Sequence, residues 1–406
     1  MQLGWIDFSK SERSKVLSVL DLLQEKGTLD ELGIAPIRDG FANIFFPGTS
    51  TIQTRAKYFL IVPYALRDLE REEAMKPNQM RRKLDSVEKK CGQRFLAQNE
   101  NERGIIGGVS LKHGRWVKRP PSEIYWSGLR QYRIFNFPNW TMAEYLRAVY
   151  GQKKRKSEMK ELRSRQESEN QSDWDDRDAG SIGSISFWNI PTYRKGWRDE
   201  LQMQLTTEEA SFLKAQIMES HPDSMLGVIL RKNVKQVLVC GNFEELADLI
   251  HLFPEQIQRD YQLALAFSRF LYIIRVVYNR IASKDRNERA RQEYGLLYPV
   301  FATEADVELK AVFLRLGIAG NSSLGKFLSR AQECILADNY DGLCKCIRDR
   351  EILLKGESRA KTAHPGEYDA DAWFCGDYLD YRFPNARTII RDIMEGEVAG
   401  NAESRS

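Results

Sequence analysis

At 406 residues, 42% hydrophobic and 29% charged, the chain has the balance of a soluble globular protein with room for two or three domains and a sizeable core. A formal net charge of +4 is too small to mark the whole chain as a nucleic-acid binder, so any such contact has to be local. The amino terminus lacks the basic start and apolar run of a signal peptide, and the longest apolar stretch, 261–281, is broken by Arg269, Arg275 and Arg280. The expectation is a cytoplasmic protein with no membrane partner and with six reduced cysteines.

Taken in order, Leu3, Trp5 and Phe8 predict a short strand, and Ser9 with Glu12 stand at capping-box spacing before an apolar run from Val16 to Leu23 that Gly27 ends. A helix is expected over about 36–46, stopped by Pro47-Gly48, and another capped by Ser50 or Thr51 that Pro63 kinks or ends. The stretch 78–95 reads as a charged helix. The IIGGV and RWV segments within 104–117 predict a hairpin or loop with some β structure. Pro120-Pro121-Ser122 restarts helix, and Thr141 with Glu144 caps one that reaches about Gln166.

The sharpest change of composition follows: 147–165 holds eight Lys/Arg against two Glu, whereas 167–178 holds six Asp/Glu against one Arg. That switch places a polar acidic linker at 166–186, between an amino-terminal domain (1–165) and a carboxy-terminal one (187–406). Beyond Phe187, cap-like pairs at Thr206/Glu209, Asn242/Glu245 and Thr303/Asp306 precede apolar-periodic runs. The longest helix, about 254–283, is apolar nearly all round and should run through the middle of its domain. The fold expected is mainly α, with two helical domains and minor β structure in the amino-terminal half.

Several motifs carry chemistry on paper. Gly320 to Lys326 matches the G-x-x-x-x-G-K of a phosphate-binding loop, but Phe327 stands where Ser or Thr must hold Mg²⁺, and a helical pattern precedes it instead of a strand. Gly317 or Gly320 as a helix end, then Ser322 or Ser323 as the next cap, accounts for the run. Cys344, Cys346, His364 and Cys375 are zinc-type ligands, yet C-x-C on a helix turns its thiols to different faces. No cofactor and no metal are expected. Asp85, Glu88 and Lys90 resemble a D...E-x-K nuclease set, but on a helix where such a set needs strands. Arg359 and His364 have the R-x-x-x-x-H spacing of some helical ribonucleases, in a segment bounded by Gly356 and Pro365-Gly366 that reads as a loop. They are the candidates for a metal-independent nuclease or toxin.

Two basic groups point to binding. Arg55 and Lys57 follow a Ser/Thr-rich helix start that either holds a phosphate or is a capped structural helix. Lys153, Lys154, Arg155 and Lys156, with Lys160, Arg163 and Arg165 beyond, either contact a nucleic-acid backbone or fold against the acidic run that follows. In RQYRIFNFPNW (130–140), arginine alternates with aromatics, a pattern that suits stacking on bases and core packing equally.

The segments LGWIDFS (3–9), FPGTSTIQTRAKYFL (46–60) and LDYRFPNA (379–386) resemble a large family of uncharacterised bacterial proteins classed as a domain of unknown function. The resemblance implies genes encoded beside helicases, methylases or phospholipase D-like nucleases in mobile defence loci. It therefore implies a non-catalytic accessory or adaptor component of an antiviral defence or nucleic-acid-processing system. Such a component binds DNA or RNA, or a helicase, nuclease or methylase subunit.

Overall fold

Local signals set many of the helix boundaries. The computed structural model describes residues 30–169, 186–320 and 322–403. Pro36 in the first turn opens α1 (Ala35–Phe45). Then come α2 (Tyr58–Arg71), α3 (Pro77–Gln98), the short α4 (Gly108–Lys112), α5 (Pro121–Gln131) and α6 (Met142–Glu169). They are followed by α7 (Thr207–Ser220), α8 (Met225–Lys232), α9 (Glu255–Ser283), α10 (Glu288–Leu297) and α11 (Phe301–Glu304). The last are α12 (Leu309–Leu316), α13 (Ser323–Leu336), α14 (Tyr340–Lys355) and α15 (Phe383–Glu403). The expected first strand, the helix from Val16 to Leu23 and most of the linker lie outside the described residues.

The capping boxes at Thr141/Glu144 and Thr206/Glu209 both form; at the second, the Thr206 hydroxyl accepts from the Glu209 N–H at 3.2 Å and the Glu209 carboxylate accepts from the Thr206 N–H at 2.9 Å. At Asn242 and Glu245 the Asn242 Oδ1 accepts from the Glu245 N–H at 3.1 Å, but the Glu245 carboxylate accepts from the Gly241 N–H and the Asn242 Nδ2, at the head of a 3₁₀ segment, Glu244–Leu252, and Thr303 falls inside α11 instead of capping a helix.

The chain is mainly helical, as its periodicity predicts, and contacts group it into two units. The first holds α2 to α8 and nearly all of α15; the second holds α1 and α9 to α14. This partition departs from a division at 166–186: Phe187 to Leu238 belongs with the first unit, as does the stretch from Asn385 onward. Composition marked the polar segment correctly as polar, but it is not where the contacts divide.

In the first unit α2 is the axis, with every residue from Tyr58 to Leu66 buried. It continues through Pro63, which neither ends it nor stands at its boundary. The β structure expected within 104–117 is absent. Gly107 takes a left-handed turn at φ 73°, the short α4 follows, and Ile105 and Ile106 are buried, with the Ile106 N–H donating to the Tyr58 hydroxyl at 2.9 Å. The isolated bridge Phe135 to Trp188 is the sole strand-like pairing among the described residues.

In the second unit α9 runs through the core as its all-round apolar pattern predicts, buried without interruption from Phe270 to Asn279. Against it lies a buried polar cluster. The fully buried Glu351 of α14 accepts from the Tyr278 hydroxyl (2.7 Å), the Thr362 N–H (3.0 Å) and hydroxyl (2.8 Å), and the Lys355 ammonium (3.0 Å).

Candidate nucleic-acid interface

The two signature cations turn inward. Residues 47–57 do not start a helix; they form a turn segment whose backbone is held from elsewhere in the first unit. The Tyr125 hydroxyl lies 2.9 and 3.1 Å from the Thr54 and Arg55 N–H groups, and the Asp392 carboxylate accepts from the Ala56 N–H at 2.8 Å. The Arg55 Nε donates to Asp392 at 3.0 Å, and its Nη1 donates to Glu102 and, at 3.1 Å, to the Arg103 carbonyl. Burial alone would lower the Arg55 guanidinium, but the two carboxylates outweigh it and hold it above its ordinary value. The Lys57 ammonium, 2.6 Å from Glu209 and 3.2 Å from the Gln204 carbonyl, is buried as well. Both cations are committed to internal carboxylates.

The α6 run divides. The Lys153 ammonium donates to the Leu69 and Glu73 carbonyls at 3.1 and 3.3 Å, and to that of Glu72, so it closes the carboxyl end of α2, where cations are favoured. Burial lowers its pKa. Lys154, Arg155 and Lys156 remain exposed, with Lys154 3.6 Å from Glu158 and the Arg155 Nε 3.4 Å from the Gly151 carbonyl.

Of the other candidates, Arg359 and His364 do not share a helix face. Arg359 is the last residue of the 3₁₀ turn Glu357–Arg359, donating to the Lys355 carbonyl at 2.8 Å, and His364 follows the turn Lys361–Ala363, its Nε2 standing 3.1 Å from the Glu357 carbonyl. At 320–326, Gly317 ends α12 in the left-handed region and the Ser322 hydroxyl accepts from the Gly325 N–H at 3.1 Å, so this run is the end of one helix and the cap of the next. No cluster able to hold a metal occurs among the described residues. In the aromatic stretch, Tyr132 and Phe135 are buried, and Phe137 stacks on Trp140 at 4.3 Å. These rings pack among themselves.

The sequence reading missed a different basic surface. No acidic residue occurs between Glu102 and Glu123, whereas Lys112, Arg115, Lys118 and Arg119 all fall there. This segment runs back along α3. A β-carbon at Gly92 would stand 2.7 Å from Leu111 Cδ1 and 3.6 Å from Trp116 Cζ3, and one turn earlier Glu88 accepts from the Ser122 N–H at 2.6 Å. Arg115, Lys118 and Arg119 are thus carried past the edge of α3 on which Arg82 and Lys89 recur at helical spacing with Ser86 and Gln93. Arg82, Arg115 and Lys118 are exposed and Lys89 and Arg119 half-exposed, and none of the five forms an ion pair among the described residues. Neighbouring Arg81 and Lys83, by contrast, pair with Glu123 and Glu72. Trp116 is half-buried, with its ring 3.6 Å from the β-carbon position of Gly92 and 3.4 Å from that of Gly107.

Glu88 anchors the returning segment. Pro120 at the amino end of α5 offers no capping side chain, and the buried Glu88 carboxyl replaces it by bonding the Ser122 N–H and, at 3.1 Å, the Ser122 hydroxyl. Burial, with Asp85 and Glu123 nearby, pushes this carboxyl up to about 8 against the Ser122 bonds. A pKa raised on folding contributes stability that is present at low pH and lost as pH rises through the folded value. Glu88→Gln should therefore gain on the native chain between about pH 5 and 8, by up to about 1.4 kcal/mol per pH unit, in urea denaturation at stepped pH. Parallel pH curves for the two proteins would show that Glu88 is ionised throughout.

No helix among the described residues is long and apolar enough to cross a membrane. No curated protein and no solved structure matches the chain. A model of a family of unknown function, DUF6361, matches residues 1–280, a span that contains the 47–57 segment, α3 and the whole basic surface but ends before Arg359, His364 and the LDYRFPNA segment. The match covers well over half of the chain, which therefore belongs to the DUF6361 family.

Proposed function

We propose that the protein is a non-catalytic nucleic-acid-binding component whose contact surface is the edge of α3 and the 112–119 segment. One observation carries the reading. Arg82, Lys89, Arg115, Lys118 and Arg119 share a surface without acidic partners among the described residues, while the basic residues of the signature segment are neutralised inside the fold. Unpaired cations of this kind bind the phosphate backbone by releasing condensed counterions, independently of sequence. Trp116 adds a half-buried aromatic in the same segment as Arg115, Lys118 and Arg119, and the exposed Lys154, Arg155 and Lys156 of α6 supply further cations in the same unit. The setting in a bacterial defence or nucleic-acid-processing system, beside a helicase, nuclease or methylase, rests on the family resemblance.

Fluorescence anisotropy of labelled single- and double-stranded DNA and RNA with the full chain tests this. Affinity should fall with salt along a slope set by about three to five phosphates, and Lys118→Glu with Arg119→Glu should weaken it by about tenfold or more and flatten the slope by about 2. Salt-independent binding, or binding indifferent to that charge reversal, would discard the surface. Reversing Lys154 and Lys156 instead reports whether α6 shares the contact.

A further inference from the structure

The second unit carries an apolar groove bordered by carboxylates. α9 and α10 are joined by residues 284–287, and from there α10, the 3₁₀ turn Tyr298–Val300 and α11 form one continuous helical stretch. A cleft of about 160 Å³ brings Gln262, Leu265, Ala266 and Arg269 of α9 against Thr303, Glu304 and Asp306, so the stretch runs back along α9. Leu296 and Val300, 74% and 41% exposed, precede Thr303 at intervals of four and three and so lie on its side of the stretch. On α9, Leu265 and Ala266 are half-exposed, and one turn past Arg269 the Tyr272 ring stacks at 3.9 Å on the exposed Tyr378. Single apolar residues scattered over a surface need no partner, but a strip aligned along two adjoining helices marks a contact.

The charge of the border selects the occupant. Arg269, the one cation in the lining, donates to Glu244 at 3.2 Å and stands 3.8 Å from Glu304. Asp306 is exposed and forms no ion pair among the described residues, and the same is true of the exposed Glu308 beyond it. Carboxylates therefore outnumber cations here. That balance repels nucleic acid and anionic lipid, and it repels a second copy of the same groove, because like charges would meet across a two-fold contact. Over 262–269 and 296–304 both walls are helical and present no edge to which a strand could add.

We infer that this groove docks an amphipathic helix of a partner protein, its apolar face laid along Leu265, Ala266, Leu296 and Val300 and its flanking Lys or Arg residues set against Glu304, Asp306 and Glu308. The groove belongs to the unit that does not contain the basic surface, so protein docking and nucleic-acid binding can be tested apart.

The probe is a synthetic helical peptide of about 18 residues built from leucine and lysine, with the leucines at helical spacing on one face. Its binding to the full chain is compared, by fluorescence anisotropy, with that of its leucine–glutamate counterpart. The lysine peptide should bind with micromolar affinity and the glutamate peptide about tenfold or more weakly. Leu296→Ser with Val300→Ser should weaken the lysine peptide by about tenfold or more, and Asp306→Lys by about threefold, at an unchanged melting temperature because these side chains are exposed. On the native chain the lysine peptide should slow amide hydrogen exchange over 262–272 and 296–306. Absence of binding, equal binding of the two peptides, affinity indifferent to the variants, or unchanged exchange in both segments would overturn the inference, and the exchange measurement decides even where a variant does not fold. Sedimentation showing a native dimer that the serine pair disperses would assign the groove to a second copy and overturn it as well. The oligonucleotide affinities that test the basic surface are unaffected by any of these outcomes.

Discussion

Lys57→Met is expected to lower the unfolding free energy by about 3–5 kcal/mol while leaving the salt-dependent nucleic-acid affinity of the folded protein unchanged. Lys57 is 5% exposed and its ammonium lies 2.6 Å from Glu209. Removing the cation strands a carboxylate that burial has stripped of water. The loss is therefore dominated by the partner left behind, and Lys57→Met combined with Glu209→Gln should regain a large part of it, since glutamine at that position keeps the bond to the Thr206 N–H. Urea denaturation of the three proteins measures the effect, with oligonucleotide anisotropy alongside. Undiminished stability with lost binding would restore Lys57 to a phosphate site.

Glu351→Ala should cost the second unit more, about 5 kcal/mol, because it leaves the Lys355 ammonium, the Thr362 N–H and the Tyr278 hydroxyl without their shared acceptor in a buried setting. Burial alone would raise the Glu351 carboxyl, but the bonds from Thr362, Tyr278 and Lys355 prevail and hold it below its ordinary value. A depressed pKa contributes stability that is present above the unfolded value of about 4.3 and lost as pH falls through the folded one. Glu351→Gln should accordingly remove part of the native chain's loss of stability on acidification, in the opposite direction to Glu88→Gln. A variant that melts with the native chain at neutral pH would show that water already reaches this cluster.

What the sequence made legible was local. The capping boxes at Thr141 and Thr206, the left-handed end at Gly317 and the long apolar α9 are set by residues within a few positions of one another, and they stand as read. The 47–57 segment was misread because its conformation is fixed by Tyr125 and Asp392, which no local pattern connects to Ser50 or Thr51. The same holds for the cations: charge and spacing do not say that Arg55 faces Asp392, or that Lys153 alone of its run reaches the end of α2. The basic surface, by contrast, had a readable signal in the acid-free stretch between Glu102 and Glu123. The β-branched Ile105, Ile106 and Val109 drew attention to strand propensity instead, while the glycines among them turned the chain back onto α3.

The sharing of α15 with the helices near the start of the chain bears on how the protein is made. Asp392 secures Arg55 and Ala56, so the first unit stays incomplete until the ribosome has passed the whole of 239–384 and delivered the last helix. At about 5–20 residues per second, that is a wait of roughly 7–30 s during which Arg55 and the Ala56 N–H, just ahead of α2, lack the Asp392 carboxylate. The nascent chain should depend on chaperone holding over that interval, and a ribosome stalled before Asn385 should carry a protease-sensitive first unit.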